Sequence, residues 1–280
     1  MGGINARMPT VRIIVRYDGT PFSGWQRQRG VFTVQQELED AIAKMTGQRV
    51  TLRGAGRTDA GVHALAQVAA FHTPAQIPVR GWTLGLTTLL PAGISVTDAR
   101  EVPDGYDPRR ISGGKRYRYL VLTRRVRDPL MRDRAWHVWD PLDVDRLRAS
   151  ALPLVGRHDF GSFRAADCER KTSVRELFAV RWVPRWQERD DLLAFEVEGT
   201  AFLKNMVRII VGTLVDIGRG RYDVGRVSEL LARPDRTLAG MTAPPHGLYL
   251  DEVFVRPEHR LADDILQPPP IAALTESSSR

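Results

Sequence analysis

With 280 residues, 42% of them hydrophobic, the chain has apolar material for one large domain or two of ordinary size. A single cysteine, Cys168, excludes an internal disulfide, no apolar run is long enough to span a bilayer, and the first residues lack the apolar core of a secretory signal, so a cytoplasmic protein with no membrane contact is expected. The net charge of +8 is almost all arginine, lysine standing only at Lys44, Lys115, Lys171 and Lys204; either codon usage or a polyanionic partner gripped by guanidinium forks accounts for that bias.

In chain order, Val11 to Tyr17 alternates Val11, Ile13, Val15 and Tyr17 on one face, the period of a strand. The run DGTPFSG then breaks the chain. Thr33 with Gln36 predicts a capping box for a helix carrying Val34, Leu38, Ala41, Ile42 and Met45. Arg49 to Arg53 reads as a second strand and Leu65 to His72 as a third, with a glycine-rich turn between them. Trp82 to Leu90 reads as a helix that stops before Pro91, and Ile94 to Val102 as a further strand. The order β-α-β-β-α-β is the split βαβ arrangement.

The second half repeats this plan more loosely. Arg116 to Leu122 reads as a strand, and Asp143 caps a helix carrying Val144, Leu147, Ala151 and Leu154. Val174 to Val183 and Leu192 to Glu198 read as a strand pair, Phe202 to Ile217 as a strongly apolar helix, Val224 to Ala232 as a shorter one, and Leu248 to Val255 as a last strand. The expected fold is α+β: two split-βαβ-like domains, residues 8–108 and 109–260, with antiparallel sheets, flanking helices and a catalytic cleft where they meet. Residues 261–280, rich in proline and serine, read as a disordered tail.

The stretch GAGRTDAGVHALAQVAAF, Gly54 to Phe71, holds one acid, Asp59, two residues after Arg57. An acid in a glycine turn ordinarily caps a backbone amide. Metal binding is disfavoured, because His63 and His72 have no second close ligand pair and no His-Glu-x-x-His or Cys-x-x-Cys spacing occurs. No phosphate loop, serine-hydrolase elbow or cofactor box is present, so no cofactor is expected. Arg208 lies among Met206, Val207, Ile209 and Ile210; a desolvated guanidinium there needs an anion, unless it lies on the helix's one wet stripe. A lone carboxylate in a water-excluding cleft needs a cation to stay ionised. The run RRISGGKRYRYLVLTRRVRD, from Arg109 to Asp128, interleaves arginines such as Arg116 with Tyr117 and Tyr119, a combination suited to phosphates and bases.

Six segments, YDGTPFSGWQRQ, TVQQELEDAI, GAGRTDAGVHALAQVAAF, KRYRY, FLKNMVRIIVGTL and DRTLAG…GLYL, resemble in order the motifs of the tRNA pseudouridine synthase A family, across about Val11 to Val255. The resemblance implies a cofactor-free isomerase, homodimeric, that converts uridine to pseudouridine in the tRNA anticodon arm, at tRNA positions 38 to 40. It implies Asp59 as the essential aspartate, Tyr117 as the tyrosine packed on the target uracil, Arg208 as the cation beside the aspartate and Arg57 as the arginine that assists base extrusion. Arg109 keeps the arginine of a further motif, and it joins Arg116 as an expected tRNA contact; Asp107 and Pro108 depart from that motif. A non-catalytic RNA-binding module would explain the charge and the tyrosines but not Asp59 with Arg208. A metal-dependent nuclease would need a carboxylate cluster the sequence does not offer.

Overall fold

The alternation at the start of the chain produces a strand, Thr10–Tyr17 (β1), with Val11, Ile13, Val15 and Tyr17 all buried. The computed structural model describes residues 9–256, which fall into two units: residues 9–113 with 250–256, and residues 114–249. The tail expected from residue 261 lies outside the described residues.

In the first unit β1 is followed by Val34–Thr46 (α1), Arg53–Gly54 (β2), His63–His72 (β3), Val79–Leu89 (α2), Ile94–Val102 (β4) and the one-turn Pro108–Ile111 (α3). β1 runs antiparallel to both β3 and β4, so that Ile13 faces Ala69 on one side and Ala99 on the other. The apolar stripe of α1 (Val34, Leu38, Ala41, Ile42) and α2's Trp82 and Leu86 are buried, and Trp82 meets Phe71 of β3 edge-on at 5.3 Å.

Two local expectations fail here for physical reasons. Thr33 is the N-cap of α1, but its hydroxyl makes no capping bond. The carbonyls of Gly24 and Trp25 accept from the amides of Val34 and Gln35 instead (3.2 and 3.0 Å), so the preceding loop caps the helix. The second strand shrinks to β2 because the backbone of Leu52 bonds to side chains rather than to a ladder. Its amide donates to Glu39 Oε1 and its carbonyl accepts from Gln35 Nε2, each at 3.0 Å.

The second unit contains Ser112–Thr123 (β5, whose first two residues belong to the first unit), Trp136–Val138 (β6), Val144–Ala151 (α4), Gly156–Asp159 (β7), Val174–Val183 (β8), Leu192–Gly199 (β9), Met206–Gly218 (α5) and Arg226–Ala232 (α6). The strand order is β5-β9-β8-β7 with antiparallel pairing throughout, and β6 is parallel to β5. Asp143 caps α4 as expected, its carboxylate accepting from the amides of Asp145 and Arg146 at 3.0 Å. α5 is buried along nearly its whole length, but it begins at Met206 rather than Phe202. Asn205 ends the preceding loop in the left-handed conformation (φ 60°), which stops the helix from extending backwards. The last strand, Leu248–Val255 (β10, whose first two residues belong to the second unit), lies beside β3, giving the first unit the strand order β4-β1-β3-β10.

Candidate active site

The turn carrying Asp59 joins β2 to β3, and the run DGTPFSG forms its support. A side chain at Gly24 would stand 2.6 Å from the Thr58 carbonyl oxygen, and one at Gly19 2.0 Å from that of Val62. Glycine at these two positions therefore lets the loop lie directly against the turn. Trp25 N donates to Thr58 O (3.1 Å) and Gly61 N to Phe22 O (3.2 Å). Gly19 N donates to Nδ1 of the buried His63 (3.0 Å) at the start of β3. From β1, the Tyr17 hydroxyl meets Thr58 Oγ1 at 2.7 Å in the core, and from β3, Gln67 Nε2 donates to Gly56 O at 3.0 Å. Burial pushes the Tyr17 phenol well above its ordinary pKa, against the opposing hydrogen bonds to Thr58 and Gln67, so it stays a neutral structural anchor.

The outcome is a turn that points Thr58 inward, leaves Arg57 exposed and holds Asp59 half-buried. Arg109 reaches the same turn from α3, its Nε donating to Gly54 O at 3.2 Å. The departure at Asp107 and Pro108 acquires a task here. Asp107 caps α3 by accepting from Arg109 N (2.8 Å) and Pro108 occupies the first helical position, so the pair fixes where Arg109 leaves the backbone.

Arg116, Tyr117 and Arg208 belong to the second unit. On β5, alternate residues face opposite sides of the sheet. Arg116 and Arg118 pair across the ladder with Glu198 and Glu196 of β9 (2.8 Å for each closest contact), and Arg181 of β8 also binds Glu196. Arg116 is buried with its guanidinium on Glu198, which makes it part of the sheet's internal charge network. On the opposite side, Tyr117 is buried and meets Phe202 edge-on at 4.9 Å. Phe202 stands in the loop before α5, so that loop positions the Tyr117 ring.

Arg208, half-buried on the first turn of α5, donates from Nε to Ala243 O (2.7 Å) and from a terminal nitrogen to Asn205 Oδ1 (2.8 Å). The Tyr119 hydroxyl donates to Pro244 O at 2.7 Å, so two successive carbonyls of this segment are held by side chains. A side chain at Gly247 would stand 2.6 Å from the Tyr119 ring. Burial pushes the Tyr119 phenol well up, an effect Arg208 partly offsets. Burial lowers the His246 imidazole, Arg208 lowers it further, and Asp133 with the Ala135 backbone opposes the shift.

Among the described residues no group of three or more His, Cys, Asp or Glu side chains could hold a metal ion, and no helix is long and apolar enough to cross a membrane. The residues that sequence patterns did not reveal are those that position others: Tyr17, Gly19, Gly24 and Gln67 for the Asp59 turn, Asn205 for Arg208 and Phe202 for Tyr117. The one available signal was glycine density in DGTPFSG, which marks close backbone approach as readily as it marks a chain break.

Comparison with known proteins bears on both units. A family described as tRNA pseudouridine synthase matches residues 13–109 and 151–254. The chain is 49% identical to the tRNA pseudouridine synthase A of Myxococcus xanthus over 249 residues, 89% of this chain and 93% of that one. It is 44% identical to the protein of the same name from Geotalea daltonii over 247 residues, 88% of this chain and 100% of the relative, and 42% identical to that of a Thermoanaerobacter species with the same coverage. Identity at this level over nearly the full length of both partners, with a mostly antiparallel α+β fold and a braced Gly-Arg-Thr-Asp turn, means that the chain belongs to the tRNA pseudouridine synthase family.

Proposed function

We propose that this protein isomerises uridine to pseudouridine in the anticodon arm of tRNA, with Asp59 as its reactive carboxylate. The observation that carries this reading is the Asp59 turn. The amides and carbonyls around it are bonded to the loop from Asp18 to Trp25 and to Gln67, so the carboxylate stands on a rigid support at the surface of its unit. The reaction breaks the bond from N1 to C1′, turns the base, and joins C5 to C1′; C5 loses a proton and N1 gains one. Bond breaking leaves the ribose electron-poor, so an ionised carboxylate beside it serves as a nucleophile at C1′ or as a base at C2′.

A target inside a stacked stem must first be flipped out, at a cost of about a few kcal/mol. Exposed Arg57 fits the task of filling the vacated space or holding a phosphate. Tyr117 is the stacking ring for the uracil, and Arg208 is the cation that keeps the carboxylate ionised. Arg109 binds backbone phosphate near the turn. Arg116 contributes by holding β5 in register rather than by meeting RNA, since its charge is engaged by Glu198. The working protein is a cytoplasmic homodimer that needs no cofactor.

The test is incubation with a tRNA transcript in the presence of EDTA, followed by mapping of pseudouridine and by light scattering. Pseudouridine in the anticodon arm with EDTA present is the expected result. Tight tRNA binding with no product would identify a binding module, and product lost on chelation would identify a metal-dependent enzyme. A fully active monomer would refute the dimer.

A further inference from the structure

β7 is the outer strand of the second unit's sheet, and beside it is a cavity of about 210 Å³ lined by Arg157, Thr172, Val174, Arg175, Glu176 and Thr200. None of these residues has a role in the reaction as proposed above. The guanidinium of Arg175 is pinned by its own strand end, one terminal nitrogen donating to Thr172 O (3.1 Å) and Val174 O (2.6 Å). Its Nε is buried and finds no acceptor among the described residues, so any anion in the cavity would be met by the remaining terminal nitrogen. Thr172 Oγ1 accepts from Val174 N (3.2 Å), which leaves the hydroxyl proton free to donate.

The charges around the cavity are uneven. Arg157 on β7 is exposed and stands across the ladder from Glu176 on β8. Arg175 has carbonyls rather than a carboxylate as its partners, and the charge of Arg170 acts on it as well. Two guanidinium groups and one carboxylate line the cavity, so its own charge is +1. That charge matches one phosphodiester, a monoanion, better than a doubly charged phosphate monoester. An arginine fixed by backbone carbonyls loses little entropy when it binds an anion, and the second terminal nitrogen of Arg175 takes no part in those two bonds. Thr200 in turn begins the loop that carries Phe202 against Tyr117.

We propose that this cavity is a phosphodiester subsite for the RNA backbone of the tRNA substrate, with Arg157 and Arg175 as the ligands of one phosphate and Thr172 as a supporting donor. The proposal rests on the tRNA-modifying function proposed above, and the experiment is arranged to separate the two. Binding of a tRNA transcript is measured across a salt series for the wild-type protein, for Arg157→Gln with Arg175→Gln, and for Arg157→Glu alone. The single variant changes only an exposed side chain on an edge strand, so it remains informative if loss of Arg175 loosens the segment from Thr172 to Val174. Arg148→Gln, an exposed arginine of α4, is the control.

The double variant is expected to bind about tenfold more weakly, and its plot of log affinity against log salt to be shallower by about one phosphate's worth, roughly 0.7 to 0.9. Arg157→Glu should weaken binding in the same direction and the control should not. Unchanged affinity and slope in folded variants of an enzyme that makes pseudouridine would overturn the subsite alone. Competition of tRNA binding by millimolar inorganic phosphate, equal in wild type and double variant, would also overturn it. A wild-type protein that neither binds nor modifies tRNA would overturn the proposed function and the subsite with it.

Discussion

Asp59 is the only acid between Gly54 and Phe71, and hydrogen bonds from the neighbouring loop and strands fix the turn that presents it. Asp59→Asn keeps the size and hydrogen-bonding reach of the side chain but removes its charge. Turnover measured by pseudouridine formation should therefore collapse while circular dichroism keeps the native signature. Activity within about tenfold of wild type, roughly 1.4 kcal/mol of barrier, would remove Asp59 from the chemistry. At Arg208 the structure adds a consequence that helix periodicity does not show. The side chain holds Ala243 O and Asn205 Oδ1, so replacement by leucine strands two acceptors besides removing a cation. His246, close to both Arg208 and Asp133, gives a pH-dependent effect whose sign is fixed. Its folded pKa lies below the unfolded value of about 6.5, so below that pH the unfolded chain takes up the proton first. Stability should fall as pH drops from about 6.5 towards the folded value, and His246→Gln should flatten that part of a denaturation series. An unchanged pH profile in the variant would mean that other groups cause the loss.

At the scale of elements, the Asp59 turn depends on the loop after β1. A methyl group at Gly24 would press on the Thr58 carbonyl, and the residue's φ of +90° is costly for any side chain. Gly24→Ala should destabilise the protein by about 1 to 3 kcal/mol and depress turnover further than tRNA affinity, because the turn must shift to relieve the clash. Thermal melting with steady-state kinetics checks both parts; a variant with wild-type values would show that the loop gives way instead. Much of the element pattern was legible in the sequence. Ile94–Val102 and Val174–Val183 have the expected ends, and Asp143 caps α4, because alternation and an aspartate before a helix act through nearest neighbours. The capping box at Thr33 and the strand from Arg49 do not form because distant groups supply the bonds: Gly24 and Trp25 carbonyls in one case, Glu39 and Gln35 side chains in the other.

For the whole molecule, the question is whether the arginine excess binds RNA or reflects composition. Arg124 is already engaged, 3.7 Å from Asp128 and 3.4 Å from Asp191, and Arg189 bridges the same two acids. Charge reversal there would break an internal network, so the informative residues are the exposed Arg125 and Arg127. Replacing both with glutamate should raise the tRNA dissociation constant and make its salt dependence shallower by about 0.7 to 0.9 log units for each phosphate no longer neutralised. An unchanged slope in filter binding would assign these arginines to a solvated face.

The sequence by itself determined the α+β class, the alternation of strands and helices, and the motifs that carry the family resemblance, Asp59 and Tyr117 among them. These follow from periodicity and from residue types in local order, which the chain states directly. The tertiary structure alone decided that β10 returns from the far end of the chain to lie beside β3, that Arg116 spends its charge on Glu198, and that Gly19 and Gly24 admit the backbone of the Asp59 turn. Each of these joins residues far apart in sequence. Their partners are set by which surfaces pack together, and no local pattern records that.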